Sequence, residues 1–137
     1  MEPGGYLEYQ DGCFPMGYIG PPAVDSAIYK WNEMLMEASS KIGRDWGCAR
    51  NYKRWFEEAG FEDVVERRFY WPSGPWAKGQ YYKNIGAYAR LDLLRALEPV
   101  SLKMFGLLGY SPEKTKEFLE GVRDDILNPK IRAYVPV

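Results

Sequence analysis

Ala59-Gly60-Phe61-Glu62-Asp63-Val64-Val65-Glu66-Arg67-Arg68-Phe69-Tyr70-Trp71-Pro72-Ser73-Gly74-Pro75-Trp76-Ala77-Lys78 decides how the chain is read. Gly60 stands where a helix needs a left-handed residue to finish, and Phe61 is the apolar residue that packs back on the last turn. The helix therefore stops at Ala59. Residues 64–71 are rich in β-branched and aromatic side chains, too few for an ordinary helix, and closed by Pro72, which cannot donate to a ladder. They predict a strand. The Trp-Pro-Ser-Gly-Pro-Trp loop then places two indoles beside rigid backbone at the strand's end, the rim where open α/β sheets bind ligands.

The 137 residues suit one domain. With 46% hydrophobic and 16% aromatic residues the chain is built to fold. Eighteen basic and nineteen acidic side chains leave a net charge of −1, so no overall field favours nucleic acid or an anionic membrane. Two distant cysteines, Cys13 and Cys48, and no histidine indicate neither a metal site nor a disulfide framework. Without histidine no Ser-His or Cys-His couple exists, and any acid or base must be Asp, Glu, Lys, Tyr or Cys. No charged-then-apolar leader and no membrane-length apolar run are present, so the reading is a soluble intracellular protein.

Taken in order, residues 1–5 read as a turn and residues 6–10 as a first strand. Residues 11–22, with three glycines and three prolines, read as loop. Asp25 or Ser26 caps a helix in which Ile28, Trp31, Leu35, Ala38 and Ile42 share one side, ending at Gly43. A second helix over residues 49–59 buries Tyr52, Trp55, Phe56 and Ala59 and pairs Lys53 with Glu57 and Arg54 with Glu58. Residues 80–97 form a third, with Tyr81, Ile85 and Tyr88 inward, broken or kinked at Glu98-Pro99 before an apolar segment over 100–108. Ser111-Pro112-Glu113 starts a fourth, striped by Thr115, Leu119, Val122 and Ile126 and stopped at Asn128-Pro129. Residues 131–137 alternate as a last strand that Pro136 closes. The class is α/β, with three strands a small sheet for so many helices.

Five blocks carry a family resemblance: Pro3-Gly4-Gly5-Tyr6-Leu7-Glu8-Tyr9-Gln10-Asp11, Lys41-Ile42-Gly43-Arg44-Asp45, Glu58-Ala59-Gly60-Phe61-Glu62-Asp63-Val64, Trp71-Pro72-Ser73-Gly74-Pro75-Trp76-Ala77-Lys78 and Ile131-Arg132-Ala133-Tyr134. In that order they resemble the C-terminal half of fungal S-adenosylmethionine-dependent methyltransferases, the group that includes the velvet-associated regulator of secondary metabolism. The resemblance implies one partial domain over residues 1–137, the C-terminal half of a Rossmann-like class I methyltransferase sheet. Its strands over 6–10, 64–71 and 132–135 would be the fifth, sixth and seventh, the last antiparallel between the other two. Residues 80–128 would be a helical cap insertion over the substrate pocket.

S-adenosylmethionine is the cofactor this implies, yet the chain has no glycine-rich turn between a strand and a helix start. Gly17-Tyr18-Ile19-Gly20 and Gly106-Leu107-Leu108-Gly109 have the wrong spacing and context, so cofactor-binding residues stay unassigned. What remains could carry the acceptor. Glu8 and Asp11, at the end of the expected first strand, are the candidate catalytic carboxylates, with Gln10 beside them to bind substrate. Trp71, Trp76 and Lys78 are the second substrate-binding group, flat indole walls held open by Pro72 and Pro75. The bland reading of each is a solvated strand residue or a loop anchor, and of Gly43-Arg44-Asp45 a helix end beside an exposed ion pair.

Two functions follow from different premises. One is a methyltransferase, or its acceptor-binding half, acting on a small-molecule intermediate of a fungal secondary-metabolite pathway in the cytoplasm. The other is a non-catalytic partner or regulator, nuclear in that role, that docks the unpaired edge of its first strand on a second copy or on a complementary methyltransferase-like chain.

Overall fold

The computed structural model describes residues 4–137, so the start of the expected N-terminal turn lies outside the described residues. Strands β1 (Gly17–Tyr18), β2 (Tyr70–Pro72) and β3 (Ala133–Pro136) form one sheet in the order β1-β3-β2. The last strand in sequence is thus the middle one, antiparallel to both neighbours. Helices α1 (Ala27–Lys41), α2 (Tyr52–Glu58), α3 (Gln80–Gly106) and α4 (Pro112–Leu127) complete a mixed α/β chain, with a 3-10 turn over Cys48–Asn51 leading into α2.

The helix ends follow the local chemistry of the sequence. The Ser26 and Ser111 hydroxyls accept from the N–H groups of Tyr29 and Lys114, the orphan donors at the starts of α1 and α4. After α2 the N–H of Gly60 donates to Glu57 and that of Phe61 to Phe56, and the Phe56 and Phe61 rings meet 5.5 Å apart. Gly60 adopts φ 89°, which a side-chain-bearing residue rarely does, and the turn closes as its sequence predicts.

The core lies where α1, α3 and α4 converge on β3. Ile28, Trp31, Leu35 and Ala38 of α1 meet Leu97, Met104 and Phe105 of α3, Leu119, Val122 and Ile126 of α4, and Ala133 of β3. Polar groups inside it are matched. The Trp31 indole N–H donates to Ser101 Oγ at 2.8 Å, and that hydroxyl donates to the Leu97 carbonyl at 2.6 Å. Asn32 accepts from the Met16 N–H and donates to Ile28 O, tying the residue before β1 to α1. From α4, Asp125 accepts the Ile28 N–H at 3.0 Å and sets a carboxylate against the positive end of α1.

Several expectations are corrected. Residues 6–10 do not join the sheet, because β1 and β2 already occupy both edges of β3; Tyr6 is fully exposed and Tyr9 packs on Tyr52 instead. The first strand is Gly17–Tyr18, inside the segment expected to be loop. The expected strand over 64–71 shrinks to Tyr70–Pro72, since Phe69 exchanges hydrogen bonds with Val137, the last residue, and the residues before it have no backbone partner there. In α2 no residue is fully buried, and its aromatic side chains stack on one another rather than on the core. Tyr81 and Tyr88 are 70% and 76% exposed, because the first half of α3 reaches past the core. Nor does Pro99 break that helix, which runs through it to Gly106.

Two measurements test this packing. Replacing Ser101 by Ala leaves the Trp31 N–H buried without an acceptor, and denaturant titration should show a loss of about 1–3 kcal/mol. Tyr18 carries a buried hydroxyl with no partner; burial first, then the fields of Tyr29, Asp125 and Glu33, push its phenol up to about 12. The folded state holds this proton more tightly than the unfolded one. Stability is therefore full below pH 10.0 and lost as pH rises to about 12. In Tyr18→Phe melting temperatures should fall less across that window than in the parent.

Candidate functional site

Alternation along β2 places Tyr70 and Pro72 on one face and Trp71 on the other. Tyr70 and Pro72 form one wall of a cleft of about 370 Å³. The loop after β2 adds Trp76, Ala77 and Lys78, α3 adds Tyr82, β3 adds Tyr134, and Ile19 follows from β1. The cleft is mainly apolar and aromatic, and the Tyr70 and Tyr134 rings meet edge to face at 5.3 Å. Lys78 is the one charged side chain in its lining and makes no ion pair among the described residues.

Two glycines allow these walls to stand where they do. Tyr134 lies across Gly17 of the adjacent strand, so close that a Cβ there would be 2.3 Å from the ring's Cζ. On the other side α3 presses Gly86 onto the loop: a Cβ would fall 2.1 Å from the carbonyl oxygen of Gly74. Ser73 fixes the same loop to the sheet, donating both its N–H and its hydroxyl to Ala133 O at 2.9 and 2.8 Å. Trp76 and Lys78 therefore project from backbone held on two sides. The Trp76 indole N–H is buried with no partner.

The residues expected to bind or react do not gather at one place. Trp76 and Lys78 line the cleft, whereas Trp71 lies on the opposite face of β2, 47% exposed. Glu8, Gln10 and Asp11 belong to a separate cluster: Gln10 donates to Glu8 at 2.6 Å, and the Tyr52 hydroxyl donates to Asp11 at 2.6 Å. That bond, then contact with the Cys48 thiol, raises the Tyr52 phenol above its ordinary range. Gly43, Arg44 and Asp45 border a smaller hollow of about 230 Å³ at the end of α1, where Asp45 accepts the Gly47 N–H. Tyr70, Tyr82, Tyr134 and Ile19 escaped the sequence reading because they come from separate elements. Gly17 and Gly86 were the available signals, each a glycine inside an element where another backbone or ring approaches.

Packing should outweigh propensity at Gly86. An alanine in a helix gains up to about 1 kcal/mol over glycine, but overpacking against a backbone carbonyl costs about 1–3 kcal/mol. Gly86→Ala is expected to destabilise, whereas Gly106→Ala, whose methyl meets nothing within 4 Å, should be neutral or stabilising; denaturant titration of both checks the contrast.

No family model matches the chain, and no solved structure matches it. Curated fungal proteins do. The chain is 29% identical to the probable methyltransferase tdiE of Emericella nidulans, an alignment covering 100% of this chain and 44% of that protein. It is 31% identical to the methyltransferase pytC of Aspergillus terreus, over 97% of this chain and 42% of the relative. The secondary metabolism regulator LAE1 of Cochliobolus heterostrophus is 28% identical over 85% of the chain and 38% of its own length. The chain thus spans well under half the length of these relatives, and along nearly all of its own length it is similar to fungal methyltransferases and secondary metabolism regulators.

Proposed function

We propose that this chain is the acceptor-binding part of an S-adenosylmethionine-dependent methyltransferase acting on a small molecule of fungal secondary metabolism. The observation that carries the reading is the alignment of nearly the whole chain with proteins named methyltransferase. The sheet supports it: a central strand antiparallel to two mutually parallel neighbours suits the last three strands of a Rossmann-like methyltransferase sheet, although the first of them is Gly17–Tyr18.

The described residues carry no glycine-rich turn between a strand and a helix start. Gly17 lies in a two-residue strand and Gly20 is followed by Pro21-Pro22 rather than a helix start, while Gly106 and Gly109 mark the end of α3. We assign the methyl donor to the length of the relatives that this chain does not span, and no contact with it to this chain. What the chain supplies is position. Transfer from a sulfonium depends chiefly on in-line placement of the acceptor, with a base needed only for a poor nucleophile. Aromatic walls from β2, β3 and α3, with Trp76 on the loop pinned between α3 and β3, suit a planar acceptor. Asp11, already engaged by Tyr52, is away from that cleft.

The test is transfer of a labelled methyl group from S-adenosylmethionine to small molecules extracted from fungal cultures, using the native polypeptide that carries this chain. Label should enter the organic-soluble fraction and fall by about tenfold or more in Trp76→Ala, because a misplaced acceptor loses rate steeply. No transfer to any small molecule by a folded protein that binds the cofactor would overturn the reading.

A further inference from the structure

The cleft has a chemistry of its own. Its volume of about 370 Å³ lies at the small end of the range of small-molecule sites and accommodates a bicyclic ring system. Tyr70, Tyr82, Tyr134 and Trp76 offer ring faces and edges, the surfaces on which a flat aromatic gains most. Its charge is one-sided: no carboxylate lines it, and Lys78 lines it without an ion pair among the described residues. All other lining residues are uncharged.

We propose that the ligand of this cleft is a planar aromatic acid, a carboxylate or an acidic phenol, with its rings against Tyr70, Tyr82 and Trp76 and its anionic oxygen on the Lys78 ammonium. The proposal names the substrate class for the acceptor site inferred above and rests on that reading for its biological sense, but its binding chemistry stands on the cleft alone. Lys78 selects against neutral and cationic analogues, since an ammonium that gains nothing from such a ligand still loses water to it. The aromatic walls supply affinity common to all three charge types.

Calorimetric titration of the folded protein with 2-naphthoate, 2-naphthamide and 2-naphthylmethylammonium tests this without any methyl donor. The expected order is naphthoate first, about tenfold tighter than the amide, as one charge-assisted hydrogen bond provides, and the ammonium weakest. Lys78→Gln should bring naphthoate to within about twofold of the amide, and Tyr82→Ala, at an exposed position of α3, should weaken all three. Equal binding of the three ligands, a naphthoate preference that survives Lys78→Gln, or no binding at all to protein that melts cooperatively would overturn the proposal. The two readings fail separately. Charge-selective binding without methyl transfer removes only the enzymatic assignment, and methyl transfer without charge selection removes only the ligand class.

Discussion

The contact between α3 and the loop after β2 has no room for a methyl group. Gly86 lies against the carbonyl of Gly74, and this backbone-to-backbone approach lets a long helix cross the sheet's rim at a distance that no side chain at position 86 would permit. The other end of the loop is fixed by two hydrogen bonds from Ser73 to a single carbonyl of β3. A helix above and a strand beside it leave the loop little freedom. The positions of Trp76 and Lys78, and with them the shape of the cleft, follow from that clamp.

The same economy holds in the core. Its polar atoms are few, and three pairs of them join one element to another: Trp31 to Ser101 between α1 and α3, Asn32 to Met16 between α1 and the approach to β1, Asp125 to Ile28 between α4 and α1. Apolar burial supplies the driving force, yet it is indifferent to small rotations of one helix on another. A buried donor facing one acceptor is not indifferent, because each misalignment leaves it unsatisfied. These pairs therefore fix how the helices are turned about their axes.

What was legible in the sequence was local. The capping hydroxyls of Ser26 and Ser111, the α4 stripe from Thr115 to Ile126 and the finish at Gly60 depend on neighbours within one or two turns. The strands are another matter. Residues 6–10 and 64–68 carry aromatic or β-branched side chains that suit a strand, but a strand exists only where an edge is available, and β3 offers few paired positions to either side. The cleft was half legible. Trp76 and Lys78 stood out because proline and glycine surround them, while Tyr82 and Tyr134 look like ordinary residues of a helix and a strand until distant segments bring them together.

That the middle strand of the sheet comes last in the chain has a kinetic consequence. Gly17 and Trp71 cannot find their ladder partners until Tyr134 and Val135 arrive, so both outer strands wait on the closing of long loops. Closing such loops is entropically slow, whereas α1 and α4 can form from contacts close in sequence. The topology therefore leaves the aromatic residues of β2 unpaired until β3 arrives. For this interval the segment around Tyr70 and Trp71 is an unpaired edge, and Pro72 at its end limits the length over which a stray strand can pair with it.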